Sequence, residues 1–458
     1  MQPASAPSHE APQYSIHRES LKVLAVFLAA YMLFWGGHYT TGDGARKIAW
    51  AKAIAFGPSA ATRGPNGLYS KYGIGHTLIA LPAVTTAAFI QRNTGIKCEA
   101  ALYTFIFVAN GALLVSLVAF YLLHFYPPSR VWPTAALIGF ATAWWPYTKL
   151  DFSEPLIASI LFAGFVMMRF GREWLGFAVA AFAIAVRSDA IILVSLLGIW
   201  WLIQRPTVSA ALKIMLAGLP SVALTMAANY VRYHSLFDHG YAGETFSTPF
   251  LVGLHGLFFS AGKSVFLFSP PLALGFIGWR KFRQSAGRLD AFLFLAIFAA
   301  EVILYSTWWD WSSDDAWGVR FLIPGVVLMC IPAVAALQRR ALVVALAAIG
   351  VSVQLLAVLA GSLDYVLLVH SQLPQRKAVY VQGENRLDFD DVRFNPRYSQ
   401  IAANLIFIRE LLHVPPHPSP PAVTATDDTP LYDTLSPDVW ARAAHWDVFW
   451  LNLGKSRR

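Results

Sequence analysis

The sequence predicts an all-α polytopic membrane protein, a bundle of about eleven transmembrane helices with a long first outer loop. Three observations carry this reading. Of the 458 residues, 56% are hydrophobic and only 13% are charged, far outside the soluble balance. The apolar residues gather into runs near the length of helix that crosses hydrocarbon, about 20 residues. The basic residues fall in short clusters between those runs, where orientation in a bilayer places them.

The same facts exclude other classes. A net charge of +9 raises the question of nucleic acid, but the charge is dispersed among membrane loops rather than gathered into a binding face. Cys98 and Cys330 lie far apart and Cys330 sits in an apolar run, so neither a disulfide framework nor a thiolate metal site is indicated. No H-E-x-x-H or CxxC pattern, internal repeat or Gly-rich nucleotide loop is present.

The first run follows a polar tail at 1–20, and no small-residue cleavage site of the A-x-A type comes after it, so it is expected to be a retained anchor with the tail inside. The runs are 21–37, 77–90, 100–124, 132–147, 155–170, 174–186, 189–203, 212–230, 264–279, 290–306, 319–337 and 341–368. The loop 280–288, with Arg280, Lys281, Arg283 and Arg288, marks the inside, and Arg339-Arg340 agrees with it two spans later. Walking back from this loop and forward from an inside N-terminus gives one topology only if 77–90 does not cross. At about 14 residues that segment suits a re-entrant or interfacial helix. The count also requires 174–186 and 189–203 to be separate helices broken at Arg187-Ser-Asp189, since one long helix would bury both charges at mid-membrane. The expected organisation is a tail at 1–20, a transmembrane domain at 21–370 with its outer loop at 38–99, and an outer C-terminal segment at 371–458. That segment is proline-rich, with amphipathic pieces at 398–412 and 437–452.

In this topology the ionisable residues beyond the inside clusters gather on the outer face: Asp43, Arg46, Lys47, Lys52, Lys71 and His76, then Asp151, Glu154, Arg187, Asp189, Lys263, Asp310, Asp314, Asp315 and Arg320. Carboxylates mixed with arginines at membrane depth are what a reaction cavity needs. Trp308, Trp309, Trp311 and Trp317 offer flat faces for stacking on a ligand, although an interfacial aromatic belt uses the same residues.

The order of several stretches resembles a family. "TTGDGARKIAWAKAIA" opens the outer loop with Asp43, "YSKYGIGHTLIALPA" continues it, and "DFSEPLIASILFAG", "AVRSDAIIL", "YHSLFDHGYAGETFSTPFLVGLHGLFFSAGKSVFLFSPPL" and "WWDWSSDDAWGVRFLIPGV" follow. Together they span about 21–340 and are similar to a bacterial branch of the GT-C membrane glycosyltransferases. The resemblance implies a GT-C-like bundle in a bacterial inner membrane, in which the topology read from the basic loops puts the N-terminus in the cytoplasm and the C-terminus outside. It implies transfer of a sugar, with inversion, from a polyprenyl-phosphate donor to a cell-envelope glycan, lipid or protein acceptor at the outer, periplasmic face. Membrane lipids would be further partners, and nucleic acid none. Asp43 occupies the place of the family's general base; the alternative is that it caps the helix starting near Ala45. Many members carry a second acid beside the first. Gly44 stands there in this chain, which leaves the need for a divalent cation open.

A departing lipid phosphate needs fixed cations, and arginine's planar fork suits it. Arg187 and Arg320 are the first choices, then Lys71 and Lys263; each has the alternative of snorkelling or a structural ion pair. Asp151 and Glu154 would orient an acceptor or cap the helix at 155–170. Tyr72, His76, Trp309 and Trp311 are substrate-binding candidates, His76 having the alternative of a satisfied interfacial histidine. In "YSKYGIGH", Gly73 and Gly75 are expected to permit a sharp turn that projects Lys71, Tyr72 and His76 toward the outer cavity. Two other readings of the chain remain: a transporter or flippase of a lipid-linked or anionic substrate, and a non-catalytic assembly subunit of the same fold.

Overall fold

The computed structural model describes residues 14–58, 63–64, 67–68, 70–241, 243–313, 316–361, 393–396, 399–412 and 446–452. In chain order the helices are α1 (Ile16–Leu33), α2 (Gly42–Phe56), α3 (Ile74–Thr94), α4 (Glu99–Leu122), α5 (Pro128–Ala141), α6 (Glu154–Arg169), α7 (Glu173–Val186), α8 (Ile191–Gln204) and α9 (Val208–Tyr233). They continue with α10 (Phe250–Phe259), α11 (Val265–Phe268), α12 (Leu272–Ser285), α13 (Arg288–Thr307), α14 (Ile323–Cys330), α15 (Arg340–Leu359), α16 (Gln400–Leu412) and α17 (Phe449–Asn452). Among the described residues the extended pairing is confined to a two-residue ladder, Arg63–Gly64 against Gly67–Leu68, and an isolated antiparallel bridge between Ala360 and Trp446.

The core grows from helical spacing. On α1, Val23, Phe27 and Tyr31 recur every four residues and are all buried, so one stripe faces α4 and α5. Tyr31 needs a partner for its hydroxyl in that apolar setting and donates to Gly139 O on α5 at 3.0 Å. α4 is buried almost all round its middle, from Tyr103 to Leu122, as befits a central helix.

The break expected at Arg187 is present: α7 ends at Val186, Arg187 is extended, and α8 begins at Ile191. Two other expected runs are also broken. The run 264–279 is split between α11 and α12 at Pro270-Pro271, which remove two helical donors. The run 319–337 is one turn of 3-10 helix, then α14, then a second 3-10 stretch from Ile331 to Ala335. Among the described residues, five helices are long and apolar enough to cross a membrane unaided: α3, α4, α9, α13 and α15.

The presence of α3 in that set corrects the expectation of a 14-residue segment, because the helix runs for 21 residues. Its ends nevertheless restrict its path. His76 in its first turn reaches Ser153 Oγ at 3.1 Å and Tyr103 Oη at 2.9 Å. Glu99, which opens α4, accepts from Tyr39 Oη at 2.5 Å and pairs with Lys52 Nζ at 2.6 Å. The chain from Thr94 to Glu99 reaches at most about 18 Å, against about 30 Å of helix in α3. The helix therefore does not carry the chain from one end of the bundle to the other. The amphipathic piece expected at 398–412 appears as α16, while 371–392 and 413–445 lie outside the described residues, as does most of the piece at 437–452.

At the end of the bundle away from Tyr39, Asp290 on α13 is a buried anchor. It accepts from Arg169 Nε at 2.9 Å, Tyr121 Oη at 3.0 Å and Trp200 Nε1 at 3.2 Å, and so ties α6, α4 and α8 to α13. Asp290→Ala is expected to cost about 3 kcal/mol, because it strands two buried donors, Tyr121 and Trp200, and unpairs the part-buried Arg169. Thermal unfolding in detergent checks this, and an unchanged midpoint would show the cluster to be energetically idle.

Candidate active site

The site begins with a cap. Thr41 Oγ1 accepts from Gly44 N at 2.8 Å and closes the start of α2. The capping role set against catalysis for Asp43 thus belongs to Thr41, and the Asp43 carboxylate is left to point away from the helix. It accepts from Tyr72 Oη, and its second oxygen lies 3.6 Å from Arg320 Nη1.

From Arg320 an alternating chain of charge runs on. Arg320 Nε lies 3.7 Å from Glu154 Oε1, the same oxygen accepts from Arg187 Nη1, and Arg187 Nε donates to Asp189 Oδ2 at 3.0 Å. Tyr305 Oη closes the series on Asp189 at 2.5 Å. Both arginines also rest on aromatic faces. Arg320 is 4.4 Å from the Phe152 ring centroid, and Arg187 is 4.7 Å from that of Phe321.

Asp43, Arg320, Glu154 and Arg187, with Phe152 and Phe321, line a cavity of about 90 Å³ together with Lys47, Lys71, Tyr72, Tyr241, Glu244, Trp309 and Asp310, while Asp189 and Tyr305 lie beyond it. Four cations and four carboxylates share it. Lys71 Nζ pairs with Glu244 Oε1 at 2.7 Å and lies 5.0 Å from the Tyr241 ring centroid. Trp309 Nε1 donates to the other Glu244 oxygen at 3.2 Å. The stretch between α9 and α10 that carries Tyr241 and Glu244 therefore closes one side of the cavity.

The electrostatics favour an ionised Asp43. Burial pushes its carboxyl upward, but the Lys47 and Arg320 charges and the Tyr72 hydroxyl outweigh that and hold it below the usual carboxylate range. Tyr72 is pushed up by burial and by the Asp43 charge beside it, so it remains a donor. Tyr241 is raised to about 12, first by burial. Lys47, 1% exposed, is lowered by burial against the pull of Asp43, Asp151 and Glu154.

Of the residues expected from sequence, Asp43, Lys71, Tyr72, Glu154, Arg187, Trp309 and Arg320 meet at this cavity. Four do not. Lys263 is buried and donates to Ala316 O at 2.6 Å and Gly318 O at 3.2 Å, holding a backbone turn rather than a ligand. Trp311 is buried beside Phe394, its ring packed where a Cβ on Gly256 would fall. His76 is spent on Ser153 and Tyr103 in the interior. Asp151 lies behind the cavity and accepts from Thr40 Oγ1 at 2.8 Å. Asp314 and Asp315 lie outside the described residues.

The glycines of "YSKYGIGH" also have a different reason from the expected turn. Gly73 has an ordinary extended backbone, but a Cβ on it would come within 2.3 Å of Val186 O, and one on Gly75 within 2.6 Å of Val186 N. They let α3 press against the end of α7 beside Arg187. Arg232, which had no expected role, holds the preceding loop: its guanidinium donates to Ser70 O and to Tyr72 O, the latter at 2.8 Å, and stacks on Trp50. Glu244 and Tyr241 likewise had none. A polar, Gly-flanked segment between two apolar runs, "DHGYAGETF", was the available signal.

No family model matches the chain, and no curated protein matches it. The fold is similar to that of solved structures of ArnT from Cupriavidus metallidurans. The apo structure aligns with a TM-score of 0.50 and 13% identity, covering 86% of this chain and 69% of that one. The structure bound to undecaprenyl phosphate aligns at 0.49 with 12% identity, covering 93% and 84%. The chain thus has an ArnT-like GT-C fold.

Gly44, the departure noted in the sequence, is filled from elsewhere: a Cβ there would lie 1.7 Å from Asp151 Oδ2, whereas one on Gly42 meets nothing within 4 Å. Gly44→Ala is expected to lower the unfolding midpoint and to loosen the first turn of α2, while Gly42→Ala leaves both unchanged. Thermal unfolding with hydrogen exchange over 40–50 checks this; equal behaviour of the two variants would count against the close contact.

Proposed function

We propose that the protein is a membrane glycosyltransferase that moves a sugar from a polyprenyl-phosphate donor to an acceptor at the outer face, with Asp43 as general base. The observation that carries this reading is the convergence of an ionised Asp43 with Arg320, Arg187, Lys47 and Lys71 on one cavity. A carboxylate beside a set of fixed cations is what displacement of an anionic phosphate requires.

In this mechanism the acceptor oxygen or nitrogen attacks the anomeric carbon and its proton passes to Asp43. The bond from that carbon to the phosphate oxygen breaks, and the electron pair leaves with the phosphate. In-line attack of this kind inverts the anomeric centre. Arg320 and Arg187 face the departing charge, and Lys47 and Lys71 supply further positive potential. Glu154 holds the two guanidinium groups apart at a fixed spacing, and Tyr72 aims the base by donating to it. Trp309 offers its ring to the sugar. Among the described residues no group of three His, Cys, Asp or Glu side chains is arranged to hold a metal ion, and the four cations supply the neutralisation on which this mechanism relies.

The lipid chain has a place as well. An apolar groove of about 350 Å³ runs beside the cavity between α2, α3 and α9, lined by Trp50, Ile54, Ile74, Leu78, Leu224 and Val231. Helix α2 therefore contributes Asp43 and Lys47 to the polar cavity and Trp50 and Ile54 to the groove, which suits a donor with one charged and one greasy end.

Asp43→Asn keeps the shape and removes the base, so release of undecaprenyl phosphate from a sugar-loaded donor is expected to slow by about 10² to 10⁴, with binding of undecaprenyl phosphate retained. Because Asp43 is held below the usual carboxylate range, the wild-type rate should stay level down through neutral pH and fall only as pH drops through that lowered value. Full activity of Asp43→Asn would sink the assignment. Arg320→Ala is expected to weaken undecaprenyl phosphate binding by about tenfold or more through loss of a charge-assisted pair, measured by quenching of intrinsic tryptophan fluorescence; unchanged affinity would remove Arg320 from the phosphate site.

A further inference from the structure

The chain returns to the site from its far end. Residues 446–452 are inserted against the end of the bundle that holds Asp43: Trp446 bridges Ala360, Asp447 N donates to Leu359 O at 2.8 Å, and Phe449 N donates to Trp35 O at 2.7 Å. Phe449 packs at a tilt against Trp35 with ring centroids 5.0 Å apart, and Trp450 Nε1 donates to Met32 O at 2.8 Å. The fit depends on Gly37, whose φ of +72° favours glycine and where a Cβ would come within 2.5 Å of the Phe449 ring.

At the centre of this insert is a buried carboxylate, 2% exposed. Asp447 Oδ1 lies 2.7 Å from His38 Nε2, and Oδ2 lies 2.9 Å from Lys149 Nζ. Lys149 is itself buried and donates also to Val358 O at 3.1 Å and to Asp447 O. The two partners belong to the two stretches of chain that build the floor of the site. His38 lies five residues before Asp43, and Lys149 two residues before Asp151 and five before Glu154. Those stretches are joined again farther in, where Thr40 Oγ1 donates to Asp151 Oδ1 at 2.8 Å and accepts from Asp151 N at 3.2 Å.

We infer that Asp447 is a positioning residue: by binding His38 and Lys149 together, the C-terminal segment clamps the Asp43 loop onto the Asp151–Glu154 stretch and holds the base in register with the arginines. A buried lysine and a buried aspartate are costly unless each answers the other, so loss of the Asp447 carboxylate leaves the Lys149 charge with backbone carbonyls alone and releases His38 at the same time. Sequence alone offered no link here, since 409 residues separate His38 from Asp447.

The clamp is also sensitive to pH. His38 is raised from its ordinary value, first by its hydrogen bond to Asp447; burial and the Lys149 charge oppose this, while the Asp447 charge and Tyr39 O support it. A raised histidine contributes stability that is complete below its unfolded pKa and is lost as pH rises through the folded value. The loop should therefore be held most tightly when His38 is charged.

Hydrogen exchange by mass spectrometry on the full chain in detergent tests the inference. Asp447→Asn is expected to speed exchange over 36–45 and 147–153 by about tenfold or more while Arg288–Thr307 exchanges as in the wild type. In the wild type, protection of 36–45, corrected for intrinsic exchange, should fall as pH rises through the His38 titration, and His38→Gln should abolish that limb. Unchanged exchange over 36–45 in Asp447→Asn, loss of protection spread evenly over all helices, or a pH limb that persists in His38→Gln would each overturn the clamp. The significance of the clamp rests on Asp43 being the base, but exchange is read without sugar transfer, so failure of the transferase reading and failure of the clamp are separate results.

Discussion

A chain of charges that must answer one another governs this structure. Asp43, Arg320, Glu154, Arg187 and Asp189 alternate in sign from α2 to the start of α8. Each would be expensive to bury alone and is tolerable only beside its neighbours. The chain fixes the break between α7 and α8, because Arg187 must leave the helix to reach Glu154 on one side and Asp189 on the other. It also fixes the close approach of α3 to α7 through Gly73 and Gly75, since a side chain at either position would push the Arg187 end of α7 away.

The two compartments of the site follow from one helix. α2 is too short to cross a bilayer and instead turns a charged face to the cavity and an apolar face to the groove beside α3 and α9. Arg232 on α9 reinforces the boundary between them: it stacks on Trp50, which lines the groove, and holds the carbonyls of Ser70 and Tyr72, which flank the cavity. The proposed donor, with an anionic head and a long apolar tail, would meet complementary surfaces in adjacent places.

Some of the site was legible in the residues and some was not, for identifiable reasons. Asp43, Arg187 and Arg320 could be named because ionisable groups next to apolar runs are costly and so stand out. Lys263 was named by the same logic and Trp311 for its stacking face, and both lie elsewhere, because a cation can also be answered by backbone carbonyls and a tryptophan by core packing, and sequence does not distinguish those partners from a ligand. His76 was misplaced because helical phase at the start of α3 turns it inward toward Tyr103. Arg232 was missed because a single arginine at the end of a long apolar helix looks like an interfacial anchor.

Composition and the spacing of apolar runs determined by themselves that the chain is an all-helical membrane bundle, because the hydrophobic effect and the need to satisfy backbone groups leave few alternatives in lipid. The sequence also determined where charge had to be accommodated. Only the tertiary structure decided which charges meet, that Thr41 rather than Asp43 caps α2, that Asp151 fills the space beside Gly44, and that Asp447 returns across the chain to His38 and Lys149. Those outcomes depend on distances between residues far apart in sequence, and packing sets such distances, whereas local pattern does not.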